Sequence, residues 1–231
     1  MKYFRKHPDV IIITNFPKVS HRVRHGRQTT PQQYSKILVR TIVSALKGAK
    51  KTLILTDAPV EKPHAGTAVQ TAWATGKPYT LIRLINGIIY NHKTDTICIL
   101  FHPELFGKPW TDLILPGLIL FFRLIGKKVV LIFLITPKLP PLPSLLRTTE
   151  HFIRLALLSF MVLLSQTVIA GDKPFANHLT KLSGKTITPI SLGLQSLKER
   201  RGLSKFLYEK IFPSPLQDLG LINMLKKNSL A

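Results

Sequence analysis

The sequence is short of cysteine and of acidic side chains. One cysteine, Cys98, stands among 231 residues, which excludes an internal disulfide. No Cys/His group has zinc-ligand spacing either, so neither a disulfide scaffold nor a zinc module holds this chain together. A reducing compartment suits such a composition. Eleven Asp plus Glu face 33 Lys plus Arg, a formal net charge of +22. The common catalytic fingerprints are missing too. There is no P-loop, no G-x-G-x-x-G, no H-E-x-x-H and no G-x-S-x-G, which removes the usual signatures of nucleotide hydrolysis, dinucleotide binding, zinc proteolysis and α/β-hydrolase chemistry. The apolar run Val10 to Ile13 is too short for a signal-peptide core, so the chain reads as cytoplasmic.

What is present is a 45% hydrophobic chain with the charge at its ends. Residues 1–50 hold 11 basic and 1 acidic side chains and 151–231 hold 11 and 4, whereas 51–100 hold 5 and 3 and 101–150 hold 6 and 3. Such an excess attracts polyanions: an anionic membrane surface, nucleic acid or phosphorylated substrates. Nucleic-acid modules interleave basic residues with exposed aromatics, but here the aromatics lie in apolar runs such as Leu120-Phe121-Phe122. The expectation is therefore a peripheral place at the inner face of the membrane, ahead of nucleic acid.

Apolar patterning predicts alternating strands and helices. Val10 to Thr14 and Thr52 to Thr56 are β-branched runs of strand length. Between them, Asn15 to Pro31 reads as a loop, and Thr30, Pro31 and Gln33 open a capped helix that Gly48 stops. Tyr34, Ile37, Leu38, Ile42, Ala45 and Leu46 form its apolar side, opposite Lys36, Arg40 and Lys47. The stretch 57–78 reads as irregular, with a short helix at Ala68 to Thr75. Tyr79 to Ile85, Thr96 to Phe101, Val129 to Ile135, Thr167 to Ala170 and Thr186 to Ser191 read as strands. Ser144 caps a helix to Ser165, with Leu145, Leu146, Phe152, Ile153, Ala156, Leu157, Phe160 and Leu164 on its apolar side, and a further helix spans Lys173 to Leu182. Leu155 to Ala170 is shorter than the roughly twenty residues of a membrane span, and 113–135 carries Pro116, Arg123, Lys127 and Lys128, so neither is read as one. The pattern is that of an α/β, Rossmann-like, doubly wound domain with a mainly parallel sheet over residues 1–194, followed by a basic tail, 195–231, with a helix near Leu203 to Ile211.

In such sheets ligands bind beyond the carboxyl ends of the strands. The basic loop after the first strand holds His25, Gly26 and Arg27 just before a helix N-terminus, a place suited to a phosphate. After the strand ending at Phe101 come His102, Glu104 and Gly107, an imidazole and a carboxylate two residues apart that could work as a base and its orienting partner. Cys98, inside that strand with no flanking base, reads as a core residue.

Four segments in this order resemble the acceptor-side, N-terminal domain of the retaining GT-B glycosyltransferases of family 4. They are the first strand with Pro17 and the loop to Gly26; Ile99 to Gly107; Thr167 to Lys173 with Asn177-His178-Leu179; and Ile187 to Leu194. The resemblance covers about residues 9–194. It implies a single Rossmann-like domain without the donor-binding second domain, since 37 residues follow Leu194. It also implies sugar transfer from a nucleotide sugar to a lipid-linked or glycan acceptor near Gly26, His102 and Glu104, with no cofactor of its own and a separate donor-binding subunit as partner. The chain departs from the family pattern at Thr136-Pro137, where a histidine is frequent, and at Gly26, which lacks the usual neighbouring glycine. A non-enzymatic basic module for anionic membrane or nucleic acid is the alternative reading of the same charge.

Overall fold

The computed structural model describes residues 7–15, 39, 42–43, 51–57, 67–101, 105, 114–133 and 145–189. Short β-branched runs form its strands: β1 (Val10–Ile13), β2 (Thr52–Thr56), β4 (Thr96–Phe101), β5 (Lys128–Phe133) and β6 (Thr167–Ala170), with β3 (Thr67–Thr71) and the two-residue β7 (Thr188–Pro189) outside them. The helices are α1 (Leu81–Tyr90), α2 (Ile114–Leu124), α3 (Leu145–Leu164) and α4 (Lys173–Ser183). The strands form one sheet in the order β3-β2-β1-β4-β5-β6-β7, every pair parallel. The expected doubly wound α/β architecture is thus present, with a wholly parallel sheet among the described residues.

Parallel sheets need cover on both faces, and the residues of β1, β2 and β4 are buried without exception. One face, formed by Ile11, Leu55, Ile99, Leu131 and their alternates, packs in a single core with Leu84 and Ile88 of α1, Phe122 of α2, Met161 and Val162 of α3, and Leu179 of α4. Phe133 anchors that core, its ring edge-on to Phe101 at 5.5 Å and to Phe175 at 5.3 Å. Right-handed crossovers explain the arrangement: going from β3 to β4 and on to β7, each helix lands on this face, whereas the step from β1 to β2 runs the other way and lands opposite. Val39, Ile42 and Val43, helical and buried, belong to that step. Val39 and Val43 extend the apolar side expected there; the rest of that helix, the Pro137 to Pro143 loop and the tail lie outside the described residues.

Several elements differ from expectation. Tyr79 to Ile85 is not a strand: Pro78–Thr80 is a 3-10 turn and α1 follows, burying Leu81, Leu84 and Ile88 at helical spacing. The exposed Ile82 makes the segment apolar on its other side as well, while Ile85 packs on the core, and over seven residues that pattern imitates a buried strand. Ala68 to Thr75 is not a helix, because Thr67–Thr71 pairs in register with β2, from Thr52 beside Thr67 to Thr56 beside Thr71. Its sequence, TAVQT, is only half buried, so pairing with a neighbour decides its conformation. On α3, Leu164 packs against the core as expected, but Ala156 and Phe160 face solvent and Leu158, Met161 and Val162 are buried instead; the side chains of Leu145, Leu146, Phe152 and Ile153 lie outside the described residues. From Leu155 to Leu164 the helix is apolar on nearly every side, so several stripes at i, i+3, i+4 and i+7 compete and only the packing partner selects one. β7 starts at Thr188, two residues later than expected, and β5 at Lys128, one residue earlier; the expected ends of both runs lie outside the described residues.

The apolar run from Trp110 to Ile125 contains α2, and Pro116 is its third residue, within the first turn where the missing N–H has no intrahelical acceptor to lose. α4 ends as expected at Gly184, whose φ of 68° is left-handed. Lysines close two other helix ends. Lys127 Nζ donates to the His92 carbonyl just beyond α1, and Lys185 Nζ donates to Val162 O at 3.3 Å and to Ser165 O at the end of α3. Burial, and then the charge of Arg123, pushes the Lys185 ammonium below the ordinary lysine range. No described helix is long and apolar enough to cross a membrane.

Candidate functional site

The strand order reverses between β1 and β4. In doubly wound sheets the connections that leave two such neighbours diverge to opposite faces, and ligands bind beyond the carboxyl ends of the strands at that point. The residues that end β1 and β2 are polar and yet buried: Thr14 is 0% exposed, Asn15 4% and Thr56 0%.

Main-chain pairing builds this end. Thr14 N donates to Leu55 O at 3.1 Å, carrying the ladder one residue beyond β1. The register that sets Ile13 beside Leu55, carried two residues further, brings Asn15 level with Asp57 on the adjacent strand, where chains lie about 4.8 Å apart. Thr14 Oγ1 donates to Asn15 O at 3.4 Å. The Asn15 side-chain oxygen Oδ1 is fully buried and has no hydrogen-bond partner among the described residues. An unpaired buried acceptor costs about 1–3 kcal/mol, so it marks a position where a donor from outside the protein would be favourable.

Asp57, at the end of β2, is held more tightly. Thr75 Oγ1 donates to Asp57 Oδ2 at 2.5 Å, and Thr56 Oγ1 to Oδ1 at 3.4 Å. The turn that presents Thr75 is fixed in its own right: Ala74 bridges Lys77, Gly76 takes a φ of 76°, and Thr80 Oγ1 accepts from Ala74 N at 2.9 Å while donating to Lys77 O at 2.6 Å. Two acceptors lie at this end, the Asn15 amide oxygen and the Asp57 carboxylate. They suit a ligand that offers hydroxyl or N–H donors, as vicinal sugar hydroxyls do.

The site residues expected from the sequence, His25, Gly26, Arg27, His102, Glu104 and Gly107, lie outside the described residues. Of their surroundings, Phe101, which immediately precedes His102, and Leu105 are buried. Asn15 and Asp57 were not singled out, although the rule that ligands bind beyond strand ends points at both: each directly follows a β-branched run. Cys98, in the middle of β4, is fully buried and its thiol is pushed up to about 12 by that burial, which fits a core residue. No group of three or more His, Cys, Asp or Glu able to hold a metal occurs among the described residues.

No family model matches the chain, and no curated protein does. Among solved structures it is similar to the crystal structure of an α/β-galactoside α-2,3-sialyltransferase from the luminous marine bacterium Photobacterium phosphoreum, at 10% sequence identity and a TM-score of 0.39. The match covers 92% of this chain and 60% of that one, so the chain spans 60% of that enzyme's length. The fold assignment rests on the strand order itself.

Proposed function

We propose that the chain is a glycosyltransferase-like, acceptor-side domain of the GT-B type, of family 4, that binds a sugar hydroxyl at the crevice beyond β1 and β4. The observation that carries this reading is the buried, unpartnered Oδ1 of Asn15 at the reversal of strand order, since it calls for a ligand donor at the position where doubly wound sheets bind ligands. The Asp57 carboxylate, held by Thr75 and Thr56, supplies a second acceptor on the neighbouring strand. The ordered resemblance of four sequence segments to family 4 supports the sugar-transfer assignment. In this reading His102, the residue after Phe101, is the general base toward the acceptor hydroxyl, Glu104 orients it, and His25, Gly26, Arg27 and Gly107 line the acceptor and its phosphate. The nucleotide sugar is a donor substrate held by a separate donor-binding subunit or domain, and no cofactor is required.

Titration of the full chain with a panel of mono- and disaccharides and nucleotide sugars, followed by saturation-transfer NMR, tests this. Saccharide binding that Asn15→Leu and Asp57→Asn each weaken at least tenfold supports the proposal. Absence of saccharide binding, with and without candidate donor-binding partners, overturns it.

A further inference from the structure

The large hydrophobic side chains that the described residues expose lie on or directly beside the four helices of the layered face. Most crowd the helix C-termini: Ile89 and Tyr90 on α1, Leu124 (77% exposed) and Ile125 at the end of α2, Leu163 (57%) on α3 and Leu182 on α4. In a wholly parallel sheet each crossover helix runs back against its strands. The four C-termini therefore gather at the end of the sheet where strands begin, opposite the crevice, with about 20 Å of strand between the two ends.

The charge at this end has one predominant sign. Lys93, Arg123, Lys128 and Lys181 are exposed there, while α1, α2 and α4 contain no acidic residue. Among the described residues the acids at this end are Asp95 and Asp9, and the Asp9 carboxylate already accepts Lys51 N at 2.7 Å. Single exposed hydrophobics are ordinary, but a set drawn from four neighbouring helices and interspersed with cations is not. A second copy of the chain would bring the same positive charge against it and be repelled. An anionic lipid surface satisfies both features, because leucine and isoleucine enter the headgroup boundary while lysine and arginine extend to the phosphates.

We propose that the strand-N-terminal end of this protein docks on an anionic bilayer through the C-terminal turns of α1 to α4, with Leu124 and Leu163 inserted and Lys93, Arg123 and Lys128 on the lipid phosphates. The docking does not depend on the sugar-binding reading. It has a consequence for it, because the crevice then faces away from the bilayer and receives its ligand from the aqueous side.

Flotation of the full chain with phosphatidylcholine vesicles, with and without phosphatidylglycerol, tests the proposal. Binding should require phosphatidylglycerol, and the double variant Leu124→Ser, Leu163→Ser should lower partitioning at least about tenfold with an unchanged circular dichroism spectrum and melting temperature. A Leu163→Cys variant carrying an environment-sensitive dye, which the buried Cys98 leaves as the labelled position, should shift its emission to the blue on anionic vesicles. Partitioning of the double variant equal to wild type would overturn the proposal and assign the binding to the basic chain ends. An unshifted dye, or a lipid-free dimer that the double variant dissociates, would overturn it equally, the latter in favour of a second copy.

Discussion

The carboxylate of Asp172 accepts the backbone N–H of Phe175 at 2.7 Å, and the same Phe175 sets its ring edge-on to Phe133 at an interplanar angle of 87°. One residue thus ties the N-terminus of α4 to the core under β5, and the Asp172 side chain holds the turn that makes this contact possible. Asp172→Ala should lower unfolding stability by about 1 kcal/mol, read as a lower denaturant midpoint at constant slope, with Asp172→Asn recovering most of the loss. An unchanged midpoint would show that the cap contributes nothing to the fold.

Gly87 lies inside α1 against β2. A Cβ there would meet Leu55 Cδ1 and Cδ2 at 3.7 Å, ordinary contact distances. Gly87→Ala should therefore gain the helix-propensity difference, about 0.5–1 kcal/mol, seen as a higher melting temperature. Gly87→Leu should lose stability instead, since its longer side chain has to displace Leu55.

Cys98 gives the protein a pH dependence with a definite sign. Its thiol is held up to about 12 in the fold, whereas the unfolded chain releases the proton near pH 8.5–9. The unfolded state therefore binds fewer protons above that value, and the stability associated with Cys98 is lost as pH rises between the two values. Relative to Cys98→Ala, the wild type should lose about 1 kcal/mol between pH 9 and pH 10, measured by urea denaturation at each pH. A pH-independent difference would show that the thiol ionises equally in both states.

Asn15 should separate stability from binding. Replacing its amide by an apolar group of the same branched shape, Asn15→Leu, removes a buried acceptor without a partner and should leave the melting temperature of the free protein equal or higher, by up to about 1–3 kcal/mol in stability. Saccharide affinity should fall at the same time. A variant that melts lower and binds sugars as the wild type does would show Asn15 to be a structural residue.

The legible elements were those whose signals are local. β2, β4 and β6 have the limits expected of them because each is a compact β-branched run between polar or turn residues, and α4 comes within one residue of its expected end because Asp172, a proline in its first turn and Gly184 mark both ends. α1 was misread because its exposed Ile82 and Ile89 hide the helical period of Leu81, Leu84 and Ile88. β3 was misread because nothing in TAVQT identifies a strand until β2 lies beside it. At the site, the sequence rule about strand ends was sufficient to point to Asn15 and Asp57, but the burial that leaves Asn15 Oδ1 without a partner depends on residues distant in the chain.

The amino-acid sequence by itself determined the class of this protein: a cationic, cysteine-poor α/β chain whose apolar periods alternate between strand and helix, because hydrophobic spacing and capping residues act over a few positions. Only the tertiary structure decided the strand order, which face α3 buries, and that exposed leucines and cations share one end while an unpaired amide oxygen lies at the other. These depend on which segments pack together, and the handedness of the crossovers and the burial of shared surface settle that, whereas local spacing does not encode it.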